Sequence, residues 1–411
     1  MHPEHLDIRV PGSSAEDLCP GNQSTLARSK LTGFSRGNLN MGTVSRRQIL
    51  LGGTALVGAS LLPGSNIIRG AFGEEMARPD YLIRAGFNEN PYGPSRVALQ
   101  AIVDSIKMSN LYGGNRRALT ALLSEIENVP EDHISIGTGS GEILRTAGML
   151  AAVAEGSVVC ADPTYHDLIR YAERAGSEII RVPVDRETKH IDLNAIHKAI
   201  RRDTKCVYLA NPNNPIPSII EKNQLRDFAL EVSKDCMVFI DEAYFEFVNN
   251  PDYASMMDLV RDGHNNIVVA RTASKIHGLA GMRIGFGYAH PELTAKINDA
   301  KTGAINVLGL NAAIASYKDD EFQQFTIRKN RESLNIVEGM LDEIGATYIK
   351  SNANFSFIYT GRDIGEVNAA FRAENIMVGR PFPPMNDWVR VSMAKPDEMR
   401  YFVQVYKKLL G

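Results

Sequence analysis

Cysteine is scarce, and what there is follows no pattern. Cys19, Cys160, Cys206 and Cys236 are the 4 cysteines in 411 residues, and none of them has metal-ligand spacing. That argues against a disulfide framework and against a cysteine-built metal site. Three of them lie in apolar, strand-like runs, Ser157-Val-Val-Cys, Cys206-Val-Tyr-Leu and Cys236-Met-Val-Phe-Ile, as small buried hydrophobes do. Charge of one sign is also lacking. The 45 basic and 48 acidic residues leave a formal net charge of -3, which gives no basis for a nucleic-acid partner. There is no internal repeat and no low-complexity tract. What remains is 44% hydrophobic and 23% charged, with room for a large core and more than one domain.

The amino-terminal stretch carries no fold pattern. Residues 1–40 are polar, rich in Gly, Ser and Asn, and aperiodic. Met41-Gly-Thr-Val-Ser-Arg46-Arg47-Gln-Ile-Leu then leads into a mild apolar stretch that ends at Leu62 and Pro63-Gly64. This stretch is glycine-rich and short for a membrane span. A basic segment before a short apolar one is the pattern of a secretory signal, and the paired arginines make it resemble a twin-arginine signal. Ala71-Phe-Gly73 offers a small-residue cleavage site. Residues 1–73 are therefore expected to be a disordered extension plus a twin-arginine signal, starting at Met1 or Met41, with the twin-arginine export machinery as a partner. The expected location is the periplasm. The alternative is a cytoplasmic protein with a chance Arg-Arg in its tail.

From about Asp132 to Ala289, short β-branched runs alternate with helical patterns. The strand-like runs are His133-Ile-Ser-Ile, Ser157-Val-Val-Cys, Glu178-Ile-Ile-Arg-Val, Cys206-Val-Tyr-Leu, Met237-Val-Phe-Ile, Ile267-Val-Val-Ala and Arg283-Ile-Gly-Phe-Gly. Residues 141–152 and 222–233 read as amphipathic helices. Such alternation predicts an α/β domain with a mostly parallel sheet, whose ligands bind beyond the carboxyl ends of the strands. Gly139-Ser-Gly, Asp162-Pro-Thr-Tyr, Asn211-Pro-Asn-Asn, Asp241 and Lys275 each follow a strand, so their chemistry is predicted to converge at that edge. After Lys301 comes a polar-amphipathic stretch (319–345), then Ala353-Asn-Phe-Ser-Phe-Ile and Trp388-Val-Arg-Val-Ser, which read as a smaller α+β domain. The expected organisation is an arm at 74–110, a large domain at 111–300 and a small domain at 301–411.

The sharpest chemistry lies in Arg271-Thr-Ala-Ser-Lys-Ile-His-Gly-Leu-Ala-Gly-Met-Arg283-Ile-Gly. A lysine amine condenses with the carbonyl of a cofactor. The hydroxyls of Thr272 and Ser274 and the Arg283 guanidinium suit a phosphate, and the glycines let the backbone come close to a ligand. The pattern resembles the lysine segment of class I/II pyridoxal-phosphate (PLP) aminotransferases. Residues 81–405 extend the resemblance, in particular to histidinol-phosphate aminotransferases. They carry Asn88-Glu-Asn-Pro-Tyr-Gly-Pro94, Asp162-Pro-Thr-Tyr165, Pro212-Asn-Asn-Pro215, Asp241-Glu-Ala-Tyr244 and Ala353-Asn-Phe355.

The resemblance implies fold type I of the PLP-dependent transferases, PLP as cofactor, an amino donor and a keto-acid acceptor, and a homodimer with shared active sites. It also implies roles. Lys275, Asp241 and Tyr244 would be catalytic: Lys275 tethers the cofactor and moves the proton, and Asp241 keeps the ring nitrogen protonated. Tyr244 and Asn214 bond the ring hydroxyl, and Tyr165 stacks on the ring. Ser140 and Gly141, opening a helix after a strand, join Ser274 and Arg283 around the phosphate. Tyr112 reaches the phosphate of the neighbouring subunit's cofactor. Tyr92, Arg390 and Arg380 bind substrate, Arg390 by gripping its acidic group. No metal is implied. Read without the resemblance, Asp241 can be a helix cap and Tyr165 a core tyrosine. Gly137-x-Gly-x-Gly-Glu is a poor dinucleotide fingerprint, because its third glycine and its distant acid are out of place.

The chain departs from the family pattern in three places. Ile216-Pro217 stands where Thr-Gly normally follows Pro-Asn-Asn-Pro, Gly113-Gly114 replaces a proline after Tyr112, and Gly379-Arg-Pro-Phe-Pro-Pro-Met385 is proline-rich. The first and third bear on the substrate side. The expected activity is amino-group transfer between an amino acid, or an amino-alcohol phosphate such as histidinol phosphate, and a keto acid. The alternatives are a lyase or decarboxylase on the same fold, or an exported PLP- or amino-acid-binding protein without catalysis. Export after folding would let the enzyme collect its cofactor first.

Overall fold

Seven of the apolar runs pair into one sheet. The computed structural model describes residues 76–411, so the expected extension and signal at 1–73 lie outside the described residues. The strands are β1 (Ile83–Arg84), β2 (Ile134–Gly137), β3 (Ser157–Asp162), β4 (Ile179–Pro183), β5 (Thr204–Ala210), β6 (Met237–Asp241), β7 (Ile267–Thr272), β8 (Gly285–Ala289), β9 (Tyr348–Ile349), β10 (Phe355–Tyr359), β11 (Ile376–Met377) and β12 (Trp388–Ser392). The helices are α1 (Arg96–Ser105), α2 (Arg116–Glu127), α3 (Ser140–Val153), α4 (Asp167–Arg174), α5 (Leu193–Ala199), α6 (Lys222–Val232), α7 (Met257–Arg261), α8 (Pro291–Ala300), α9 (Val307–Tyr317), α10 (Asp320–Glu343), α11 (Ile364–Ala373) and α12 (Pro396–Leu410). The large sheet has the order β2-β8-β7-β6-β5-β3-β4. Its pairings are parallel except the two made by β8, with β2 and β7.

Strand β5 shows why these runs are continuous rather than alternating. Val207 and Leu209 pack into one core with Ile196 of α5 and Leu225 of α6. Cys206 and Tyr208 pack into another, with Ile143 and Leu144 of α3 and Leu168 of α4. Both faces are covered, so both sets of side chains are apolar. Cys160, Cys206 and Cys236 are buried free thiols within this packing.

A second, antiparallel sheet has the order β12-β10-β9 and packs with α10, α11 and α12 through residues such as Leu334, Phe371 and Phe402. The arm is tied to both parts: β1 pairs in parallel with β11, while α1 packs on α9. Helix α8 ends at Ala300, where the sequence suggested a boundary, yet α9 beyond it packs on α1 and α2. No helix among the described residues is long and apolar enough to cross a membrane.

Register fixes the edge where a ligand can sit. Gly137 and Thr272 both pair with Gly285, so the start of β8 lies beside the ends of β2 and β7. The strand expected from Arg283 begins only at Gly285, because Arg283 adopts a left-handed φ of 55° and turns the chain. Gly285 allows a close approach there: a Cβ on it would stand 1.9 Å from the Ser140 backbone nitrogen.

Candidate active site

A cavity of about 450 Å³ opens at this edge, with its other wall formed by residues around β1, β11 and β12. Every site residue expected from the sequence lines it except Tyr92 and Tyr112. Lys275 follows β7, and its Nζ donates to the carbonyls of Asn88 (3.1 Å) and Phe87 (3.4 Å). The amine opens into the cavity, but the walls keep bulk water away. This desolvation lowers its pKa to about 8; Arg390 adds to the shift and Asp241 opposes it. A lysine so placed has neutral amine available at mildly alkaline pH, as a nucleophile needs.

Asp241 ends β6. One carboxylate oxygen accepts from the Ala243 N–H (3.2 Å), as in a turn cap, and the other from the Tyr208 hydroxyl (3.4 Å). Two such donors do not replace water, and burial pushes the pKa up to about 7. A cationic N–H set against this carboxylate would reverse the shift. Tyr244 Oη accepts from Asn88 Nδ2 (3.0 Å) and Asn214 Nδ2 (3.2 Å). Both amides are fixed from behind. Arg390 Nη1 donates to Asn214 Oδ1 (2.5 Å), and Ser392 Oγ donates to Asn88 Oδ1 (2.8 Å). With two donors on the phenol oxygen, its own proton is left for an acceptor in the cavity.

One end of the cavity is a set of anion donors. Helix α3 begins at Ser140, two residues after β2 ends, and the N–H groups that open a helix have no carbonyl within it to pair with. Ser274 Oγ accepts from Thr272 Oγ1 (2.9 Å), which leaves its own proton for a ligand. The Arg283 guanidinium donates to the carbonyls of Ala280 (3.0 Å) and Thr138 (3.4 Å). Gly139, at φ 80°, lies against it: a Cβ there would stand 2.2 Å from Arg283 Nη2. Amides, a hydroxyl and a guanidinium together are the donor set of a phosphate.

The other end is cationic. Arg390 is buried on β12 and its Nη2 donates to the Gly86 carbonyl (2.6 Å), while its Nε has no hydrogen-bond partner among the described residues. Burial lowers its pKa to about 10. A desolvated guanidinium of this kind suits a carboxylate. Arg380 sits farther out, exposed at the cavity mouth. Tyr165 lines the wall between, and its phenol pKa is raised by burial.

Two expected residues are elsewhere. Tyr92 is not in the cavity: its ring packs edge-on against Phe325, centroids 4.8 Å apart, beside a smaller pocket with Phe247 and Lys329. Asn90 causes this. It accepts from the Tyr92 N–H (3.0 Å) and donates to the Ile276 carbonyl (2.8 Å), so the turn is tied down and the ring is sent toward α10. Tyr112 is fully exposed, at 102%, beside Arg116 and Lys301, and does not reach its own subunit's cavity. Sequence reasoning in turn missed Asn88, Ser392, Tyr208, His166 and Phe382. Asn88 stood inside a quoted motif and His166 directly after one; Tyr208 carried no signal, because it reads as core.

The residues fit PLP. The phosphate donors stand at one end, a buried acid awaits a cation, a phenol proton is unspent, and an amine of lowered pKa lies among them. The family described as aminotransferase class I and II matches residues 82–405. The chain is 30% identical over 321 residues to the histidinol-phosphate aminotransferase of Limosilactobacillus fermentum, covering 77% of this chain and 88% of that one. A structure from Erwinia carotovora atroseptica, provisionally described as a histidinol-phosphate aminotransferase, superposes with a TM-score of 0.77 at 31% identity, over 80% of this chain and 95% of that one. The histidinol-phosphate aminotransferase of Sinorhizobium meliloti, in complex with pyridoxal-5'-phosphate, shares the fold with a TM-score of 0.70 at 24% identity, over 80% and 92%.

Proposed function

Because the chain belongs to the class I and II aminotransferases and is a PLP-dependent aminotransferase, we propose that it moves the amino group of an amino acid, or of an amino-alcohol phosphate such as histidinol phosphate, to a keto acid. The observation that carries this reading is Lys275, held in one cavity with Asp241, Tyr244 and Arg390. When bound, PLP draws electrons from the substrate Cα into its ring. Asp241 would hold the ring nitrogen, Asn214 and Tyr244 the ring hydroxyl, Tyr165 one ring face, and Ser140, Gly141, Ser274 and Arg283 the phosphate. Lys275 Nζ takes up and returns the proton at the substrate carbon, for which a pKa of about 8 is well placed. Arg390 holds the substrate carboxylate, and Arg380 stands ready for a second acidic group.

The test is a screen of amino acids against keto acids on the holoenzyme. An amino donor should change the cofactor absorbance, and a keto acid should restore it. Release of ammonia or carbon dioxide without an acceptor would mark a lyase or decarboxylase instead. No response to any donor would mark a binding protein.

The reading includes a homodimer with shared sites. Tyr112 is exposed together with Leu99, Val103, Ile106 and Leu111 on and after α1, an apolar face of the kind that a partner covers. It also includes export. The support is the Ser45-Arg-Arg-Gln-Ile-Leu run, directly before an apolar stretch and ahead of the family match at 82–405. Arg46→Lys with Arg47→Lys should leave an active enzyme in the cytoplasm, while the unaltered chain appears in the periplasm, shortened near Gly73. Full-length unaltered chain found only in the cytoplasm would refute export.

A further inference from the structure

The mouth of the cavity holds a group that these roles leave unused. His166 stands at the N-terminal boundary of α4, where its side chain makes no cap bond, and lines the cavity with Arg380. Its Nδ1 lies 3.2 Å from Arg380 Nη2. A guanidinium only donates, so this contact needs an unprotonated Nδ1 whose lone pair faces Arg380. Arg380 also donates to the Pro381 carbonyl (2.7 Å), and its guanidinium lies 4.3 Å from the centre of the Phe382 ring. The Arg390 guanidinium lies 4.7 Å from the same ring. One aromatic ring is therefore shared by the two arginines, and the outer arginine is held by partners that are all neutral. Its charge is left uncompensated at the cavity mouth.

We propose that His166 is a positioning residue that holds Arg380 so that its guanidinium reads a second acidic group, carboxylate or phosphate, at the end of the substrate away from the group gripped by Arg390. This rests on the aminotransferase reading of the site and deepens it. Protonation of His166 would set two cations against each other and turn Arg380 away. Burial, then Arg380, disfavours that protonation; Asp167, whose carboxylate lies 4.0 Å from Nε2, favours it, and Arg170 disfavours it. The Tyr165 ring also lies beside it, 5.3 Å away. The imidazole is thus kept below its ordinary pKa and stays an acceptor at neutral pH.

The test uses holoenzyme and paired amino donors that differ in the distal acid: aspartate against alanine, and O-phosphoserine against serine. In His166→Ala, the KM for the acidic member should rise relative to its neutral counterpart by roughly tenfold, the usual scale for losing one hydrogen bond to a charged group. The split should fall on KM rather than kcat. Binding of succinate, which cannot react, should weaken in parallel, read as a displacement of the cofactor spectrum. His166→Asn should restore both, because its amide oxygen can accept from the guanidinium. The loss in the His166→Ala, Arg380→Ala double variant should not exceed that in Arg380→Ala alone. In the unaltered enzyme, affinity for acidic donors should fall as His166 protonates, and His166→Asn should abolish that dependence. The two pairs distinguish carboxylate from phosphate. Equal effects on both members of each pair, or additive losses in the double variant, would overturn the role of His166. If no donor perturbs the cofactor at all, the aminotransferase reading falls and this inference with it.

Discussion

Burial moves Asp241 and Lys275 toward each other on the pH scale, the acid up to about 7 and the amine down to about 8. The shift of Asp241 has a consequence for the cofactor-free protein. An acid whose pKa is raised in the folded state binds more protons folded than unfolded. Its protonated form favours folding at low pH, and that contribution is lost as pH rises from about 4 through about 7. The slope is at most about 1.4 kcal/mol per pH unit. Lys275 adds little slope in this window, because up to about pH 7 it is mostly protonated in both states. Glu246, also raised to about 8 by burial, contributes with the same sign, and does so whatever stands at position 241. Denaturant unfolding of cofactor-free protein between pH 4 and 7 should therefore show a shallower loss of stability in Asp241→Asn than in the unaltered chain; identical slopes would mean that Asp241 is ionised throughout. The same variant should keep the cofactor yet lose several kcal/mol of transition-state stabilisation, on the order of removing a key electrostatic partner; near-normal turnover would make Asp241 a cap. Lys275 and Asp241 were legible in the sequence because each ends an apolar run. Asn88 and Ser392 each stand inside a motif, but their pairing, at 2.8 Å across 304 residues, was not legible: nothing local shows which polar residue another element will bring into place.

At the level of elements, the site rests on an ion cluster behind it. Arg271 on β7 pairs with Glu242, the residue after β6, at 3.1 Å, and with Glu127 at the end of α2. It also donates to Ser255 Oγ (2.8 Å) and lies 3.7 Å over the Phe245 ring. All three charges are buried. The cluster locks the strand that ends in Asp241 to the strand that leads to Lys275. Arg271→Met would leave two buried carboxylates without their cation, at a cost of about 3–5 kcal/mol. Adding Glu242→Gln should recover part of the loss in denaturant unfolding. A loss under about 1 kcal/mol for Arg271→Met would show that water reaches these carboxylates. The strands themselves were readable, because a sheet covered on both faces demands runs such as Cys206-Val-Tyr-Leu. The cluster was not: Arg271 and Glu242 read as ordinary flanking charges until β6 and β7 are placed side by side.

At the scale of the whole molecule, the described chain presents a complete lysine site but turns Tyr112 outward. If a second copy supplies that tyrosine, two defective chains can make one sound site between them. Lys275→Ala mixed with Tyr112→Ala should recover activity that neither has alone, because the hybrid pairs an intact Lys275 with the partner's intact Tyr112; no recovery after confirmed subunit exchange would mean that the sites are not shared. The central claim is amino-group transfer through Lys275, and the balance of the reaction tests it most directly. With holoenzyme, an amino donor and a keto acid, the account predicts one new amino acid for each donor consumed, no free ammonia or carbon dioxide, and no conversion by Lys275→Ala. Ammonia or carbon dioxide formed without an acceptor, or sustained turnover by Lys275→Ala, would contradict it.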